Sequence, residues 1–322
     1  MMLSVAAILA GLLLLFWGAD RLVIGAAATA RNLGVSPVLI GLVIVGFATS
    51  APEMLISAVA SIENAPGLAV GNAVGSNIAN LGLVLGVSVL LTPLAVPSKI
   101  LHHEFPLVLA VTGLTYMLFL DNTLSRIDAL LLLLTLAILT ISLIILGTRS
   151  NRLAPLNEKY APEVSNEMGA GKATFWLIGG RITLLVGSEL LVNGATDAAR
   201  RIGVSELVLG VTVIAIGTSL PELAVAVAGA LKRECDLVIG NVLGSNIFNL
   251  LAVIGIAGAI QPHELSPGVL TLHYPLMTVI TLAVFILAYN RRAKVQLTRS
   301  IGAGLLVTFL VYQGFVIWEA LT

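Results

Sequence analysis

The chain has 322 residues, of which 58% are apolar and only 11% charged, with a mean hydropathy of +1.03. Soluble domains are roughly 45–50% apolar and about 25% charged, so a water-facing surface cannot be built from these side chains and an integral membrane protein remains. Lys+Arg and Asp+Glu both number 17, which leaves neither a basic bias toward nucleic acid nor an acidic tail.

A helix crossing ~30 Å of hydrocarbon needs about 20 mostly apolar residues. In chain order such stretches fall at 3–29, 34–62, 68–91, 104–120 and 126–147, then at 173–198, 204–231, 237–260, 271–289 and 300–320. The first is too long, and lacks the positive leader, for a cleaved signal. The predicted fold is therefore all-α: ten transmembrane helices, with 1–147 as a first unit of five, 148–172 as a linker loop and 173–322 as a second unit of five. The loop is polar, carries Pro155 and Pro162, and is too short to fold alone. With the N-terminus outside, thirteen of the 17 basic residues fall in inside loops (Arg21, Arg31, Lys99, the 148–172 loop, Lys232, Arg233 and 291–299). Three fall outside: Arg126, Arg200 and Arg201. The positive-inside rule then predicts both termini outside and the 148–172 loop in the cytoplasm. Cys235 is the single cysteine, so no internal disulfide forms. The four histidines lie near span ends without metal-ligand spacing, and His102 and His103 read as an interfacial surface feature.

The second unit repeats the first. GFATSAPEM (Gly46 to Met54) recurs as AIGTSLPEL (Ala215 to Leu223), and GNAVGSNIANL (Gly71 to Leu81) as GNVLGSNIFNL (Gly240 to Leu250). The offset is 169 residues in both, holding without a gap from Gly18/Gly187 to Gly86/Gly255; Gly-Val-Ser at 34–36 also meets Gly-Val-Ser at 203–205. Copies five spans apart enter the membrane from opposite sides. That is an inverted-topology repeat, the architecture of many secondary transporters, whose sites lie near the midplane on interrupted helices of both halves.

Glu53 and Glu222 lie deep in apolar stretches, where a carboxylate costs at least a few kcal/mol and marks function by default. Pro52 and Pro221 precede them, so each helix should break there and free carbonyls near Gly46 and Ala215 toward a cavity. Thr49, Ser50, Thr218 and Ser219 place hydroxyls within a turn of each glutamate. Ser76 and Asn80 share one helix face, as do Ser245 and Asn249, whereas Asn77 and Asn246 point about 100° away from the serines. Together these offer an all-oxygen set, which suits calcium with its 6–8 oxygen ligands. Sodium ions or protons could balance the same two charges. Gly71, Gly75, Gly240 and Gly244 form small-xxx-small patterns that let helices approach.

The paired GxxTSxPE-like and GNxxGSNIxN motifs resemble the two alpha repeats of the calcium/cation antiporter superfamily, especially its prokaryotic sodium/calcium exchanger branch. The resemblance implies ion ligands at Thr49, Ser50, Glu53, Ser76 and Asn80 and at Thr218, Ser219, Glu222, Ser245 and Asn249, with added carbonyls at Gly46 and Ala215. Many sodium/calcium members carry an aspartate at one second-motif position, whereas here both positions are amides. Asp20 and Glu189 align at the offset and read either as ion-path or pairing residues, or as loop-facing groups. Arg181 has no counterpart, since residue 12 is Leu. It is expected to snorkel to the cytoplasmic face or pair with an acid such as Glu189, outside the site.

The expected function is a secondary antiporter of the plasma membrane exchanging calcium for sodium by alternating access, without cofactor, nucleic acid or obligatory protein partner. A calcium/proton antiporter of the same fold is the nearest rival. A passive cation channel and an intramembrane enzyme are the remaining rivals, the enzyme opposed by the lack of a nucleophile with a histidine partner.

Overall fold

The computed structural model describes residues 2–96, 98–153, 168–201, 215–266, 268–288 and 295–321. Helix α1 (Met2–Leu33) is followed, after Gly34, by α2 (37–49) and α3 (Ala51–Ile62), one apolar run split at Ser50. Helix α4 (Pro66–Leu91), strand β1 (Leu94–Val96), α5 (Ser98–Leu118), strand β2 (Thr123–Leu124) and α6 (Arg126–Leu153) complete the first half. The second half runs through α7 (Ala170–Arg201), α8 (Ala215–Thr218), α9 (Leu220–Leu231) and α10 (Cys235–Ile260). It ends with β3 (His263–Glu264), α11 (Val269–Ala288), β4 (Val295–Leu297) and α12 (Arg299–Leu321). The Gly-Val-Ser copy at 203–205 and the start of the 204–231 stretch lie outside the described residues.

Among the described residues, eight helical segments are long and apolar enough to cross a membrane, and Glu104–Leu118 and Leu220–Leu231 are shorter apolar helices. These helical segments fall within or overlap the stretches read from hydropathy, although of the 204–231 stretch only 215–231 lies among the described residues. Helices α6 and α7 reach into the expected loop, to Leu153 and from Ala170; 154–167 lie outside the described residues.

The helices are joined by two short antiparallel ribbons that hydropathy could not reveal. Strand β1 pairs with β4, Leu94 opposite Leu297, and β2 pairs with β3, Leu124 opposite His263. Each ribbon takes one strand from each half. At span ends, such pairing satisfies backbone groups that the helices leave open.

Two packed groups position the site. Helices α4 and α10 form the centre, α10 being buried along its whole apolar window. Around them α5, α11 and α12 contribute Phe105, Tyr274, Met277 and Phe309 to one apolar cluster. A second cluster joins Leu15, Leu22 and Ala26 of α1 to Leu184 of α7 and Val225 of α9. Helices α1 and α7 lie backbone to backbone on glycines: a Cβ at Gly18 would come within 2.9 Å of the Gly180 carbonyl oxygen, and one at Gly187 within 3.0 Å of that of Gly11. Without a driving force to hide apolar surface from lipid, such close van der Waals packing is what holds membrane helices together.

Candidate ion-binding site

Pro52 and Pro221 sit in the first turn of α3 and α9, and the residues just before those helices, Ser50 (φ −84°, ψ 2°) and Ser219 (φ −90°, ψ 3°), leave helical geometry in the same way. A proline cannot donate to the carbonyl four residues back, and its ring crowds that carbonyl. Each break therefore creates a new helix N-terminus inside the bundle. Glu53 and Glu222 occupy those first turns, where open amide N–H groups and the positive end of the helix dipole favour a carboxylate. Both are almost fully buried, 1% and 2% exposed.

The carbonyls upstream of the breaks are more engaged than the sequence suggested. The Gly46 oxygen accepts from the Ser50 amide at 3.0 Å and lies 3.3 Å from the Thr49 hydroxyl, whose one proton it shares as a possible acceptor with Asn241 Oδ1. In the second copy, the carbonyl four residues before Pro221, that of Gly217, is taken by the Ser188 hydroxyl of α7 at 3.0 Å. Ala215 opens α8 directly after the undescribed 202–214.

The second motifs lie on α4 and α10. Each is α-helical up to Ala79 or Phe248, then widens to π-helical geometry over Asn80–Leu85 and Asn249–Val253. Such widenings are frequent at functional sites, and no periodicity in the sequence announces them. Asn80 and Asn249 each open the widened stretch, and both are 1% exposed. The Asn80 amide nitrogen donates to Asn246 Oδ1 at 3.0 Å, and the Asn249 amide nitrogen donates to Asn77 Oδ1 at 3.0 Å. These bonds exchange under the 169-residue offset, each half serving the other. Asn77 donates further to the Asn246 carbonyl at 3.2 Å. Asn77 and Asn246 thus lie in the contact between the halves, a role that sequence reasoning missed.

Among the described residues, six buried oxygens of this region have no hydrogen-bond partner: Ser50 Oγ, Glu53 Oε2 and Asn80 Oδ1, with Ser219 Oγ, Glu222 Oε2 and Asn249 Oδ1. They form three pairs at the repeat offset. Leaving a buried acceptor unsatisfied costs about 1–3 kcal/mol, more if it is charged, so six together call for a ligand. The two carboxylates are within electrostatic range of each other. Thr49 lies between the halves, 3.0 Å from Ser245 Oγ and 3.3 Å from Asn241 Oδ1. Ser76 is buried one turn before Asn80, and Thr218 ends α8 beside Ser219. Among the described residues no group of three or more His, Cys, Asp or Glu side chains forms. The donors are therefore two carboxylates supplemented by neutral oxygens, a set matched to a hard cation.

Arg181 departs from its expected place. Its Nη1 and Nη2 atoms are buried without a hydrogen-bond partner, so it neither snorkels to a water-facing end nor pairs with Glu189, which is exposed. Its guanidinium lies within electrostatic range of Glu222 and Glu53. Sequence reasoning missed this because a long side chain can carry its head group in either direction from one position. Asp20 is a pairing residue, 2.7 Å from Lys232 Nζ and 3.8 Å from Arg21 Nε. The Arg21 guanidinium in turn lies 4.8 Å from the Trp176 ring centre and 5.7 Å from that of Trp17, tying α1 to α7.

Comparison with known proteins identifies the family. The sequence model of a family described as sodium/calcium exchanger protein matches residues 3–145 and 172–318. CaxA of Alkalimonas amylolytica is 41% identical over 313 residues, spanning 97% of this chain and 98% of its own. The inner membrane protein YrbG of Escherichia coli strain K12 is 36% identical over 323 residues, spanning 100% of this chain and 97% of its own. Among solved structures, the sodium-calcium exchanger NCX_Mj, soaked with 10 mM Na+ and 10 mM Sr2+, superimposes with a TM-score of 0.83 at 31% identity, over 96% of this chain and 97% of that one. Since the matched segments take in both halves and both motif pairs, the chain belongs to the sodium/calcium exchanger protein family, a family of cation antiporters.

Proposed function

We infer that the chain exchanges calcium for sodium across the plasma membrane by alternating access, with calcium held at mid-bilayer between Glu53 and Glu222. The observation that carries this reading is the set of six unpartnered buried oxygens in three repeat-related pairs. Thr49, Ser76, Thr218 and Ser245 complete the cage, and sodium competes for the same oxygens. Carbonyls at Gly46 and Ala215 join it only in a form where the Gly46 oxygen is released from Ser50 and Thr49. Two inverted five-helix repeats, 1–147 and 173–322 about the 148–172 linker, provide the two-sided frame; in support, the asparagine bonds and the two ribbons each join one half to the other. The distribution of basic residues supports both termini lying outside, and similarity to an inner membrane protein supports the plasma membrane. Only loaded forms whose charge is neutralised cross the bilayer cheaply, which couples the two fluxes.

Purified protein in lipid vesicles tests this directly. Calcium flux should follow an imposed sodium gradient and stay indifferent to an imposed pH gradient; the reverse result would assign the proton as counter-ion. Glu53→Ala and Glu222→Ala should each lower gradient-driven calcium flux by at least a hundredfold while the protein remains folded. Flux retained in both variants would overturn the assignment, and flux independent of any counter-ion would indicate a channel.

A further inference from the structure

The oxygen cage leaves one charged group unused. Arg181 lies within α7, in a segment apolar and long enough to cross a membrane. A guanidinium stays charged in any protein environment and presents five donors, and an intramembrane arginine without a pairing partner is costly. Yet its two terminal nitrogens are buried and hydrogen-bonded to none of the described residues.

The packing of α7 explains what this group faces. Ser188, two turns along and on the same helix face, donates to the Gly217 carbonyl. Val192, one further turn on, lies where a Cβ on Gly217 would fall. The face of α7 that carries Arg181 therefore runs along the segment leading into Ser219 and Glu222. The repeat offers no matching charge, since the counterpart position holds Leu12. Two carboxylates and one guanidinium sum to a formal charge of −1, where the carboxylates alone would give −2.

Building on the exchanger reading above, we propose that Arg181 is a tethered counter-cation of the Glu53–Glu222 pair. It lends one positive charge to the site when a monovalent cation is bound and withdraws when a divalent cation enters. The load that neutralises the carboxylates is then one calcium ion with the arginine withdrawn, or one monovalent cation with the arginine engaged. Each calcium is exchanged for one monovalent cation fewer than the carboxylates by themselves would take. The arginine also competes with calcium for the empty site. Its role is to set the coupling ratio and ion preference, not to ligate the ion.

The coupling ratio is measured with the full chain in vesicles as the sodium gradient at which net calcium flux vanishes for a fixed calcium gradient. This null point does not depend on turnover rate. Arg181→Gln and Arg181→Met, the latter keeping an unbranched apolar stem, should raise the ratio by one relative to the unaltered chain. Arg181→Lys, which keeps the charge, should leave it unchanged. Calcium-dependent thermal stabilisation of the detergent-solubilised protein should occur at about tenfold lower calcium in the two neutral variants, because a repelling charge has been removed from a low-dielectric site. An unchanged ratio in folded neutral variants would overturn the proposal. So would collapse of both neutral variants with Arg181→Lys intact, since the charge would then serve folding alone. Absence of any sodium-driven flux in the unaltered chain would instead overturn the exchanger reading, while the thermal shift would still report on the arginine.

Discussion

An amide side chain offers a coordinating oxygen reliably only when its nitrogen is occupied elsewhere, for otherwise the group can rotate and present a donor to the cation. Asn77 and Asn246 provide that occupation. By accepting from Asn249 and Asn80 they leave Oδ1 of each unpartnered. Replacing either with leucine should strand a buried amide nitrogen on the opposite half. The expected loss is about 1–3 kcal/mol of stability, read as a lower unfolding temperature in detergent, together with a higher calcium concentration for half-maximal flux. Glu53 and Glu222 were legible in the sequence because a carboxylate in an apolar run is costly in any fold. Asn77 and Asn246 were not, because helix spacing says which residues share a face and nothing about which neighbour that face meets.

At the level of elements, the proline breaks were legible and their positions are set by backbone chemistry: Ser50 and Ser219 carry nearly identical dihedrals. The small-residue pattern proves to have a partner. A Cβ on Gly240 would meet the Val38 carbonyl oxygen at 2.5 Å, and one on Gly41 the Leu237 carbonyl oxygen at 2.8 Å. Helices α2 and α10 are thus in backbone contact beside Thr49 and Ser245. Backbone cannot give way as a flexible side chain can, so Gly41→Ala and Gly240→Ala should each cost about 1–3 kcal/mol or more. Thermal unfolding should show this, and the parted helices should lose calcium binding as well. By repeat register Gly71 and Gly75 correspond to Gly240 and Gly244, and the segment they would meet, near 207–211, lies outside the described residues. The π-helical stretches at Asn80 and Asn249 were invisible beforehand, since an extra residue in one turn follows from how the neighbouring helices and amides pack.

Across the whole molecule the two halves are related but not equally closed. Helix α1 lies along α9, where Ala224 and Ala228 pack against the cluster containing Leu15 and Leu22. Among the described residues the corresponding pair, α7 and α3, shows no comparable packing, and the counterpart residues Leu55 and Val59 are 66% and 44% exposed. Asp20 and Lys232 fasten the closed pair, α1 to the end of α9. A one-sided arrangement of this kind is what alternating access requires of any single state. In a Cys235→Ser background, a cysteine at Val59 should react with a water-soluble maleimide several times faster than one at Ala228. Equal rates would mean that both sides are equally closed.

By itself the sequence determined the membrane class, the approximate spans, the duplication at 169 residues and the two acidic positions. These follow from hydropathy and from the energetic cost of charge in hydrocarbon, which act on each segment without reference to the others. Only the tertiary structure decided that the asparagines of each half orient those of the other, that the two ribbons stitch the halves together, and that the terminal nitrogens of Arg181 are buried. Those outcomes depend on which helix faces lie against each other, and on which way a long flexible side chain is carried by its packing.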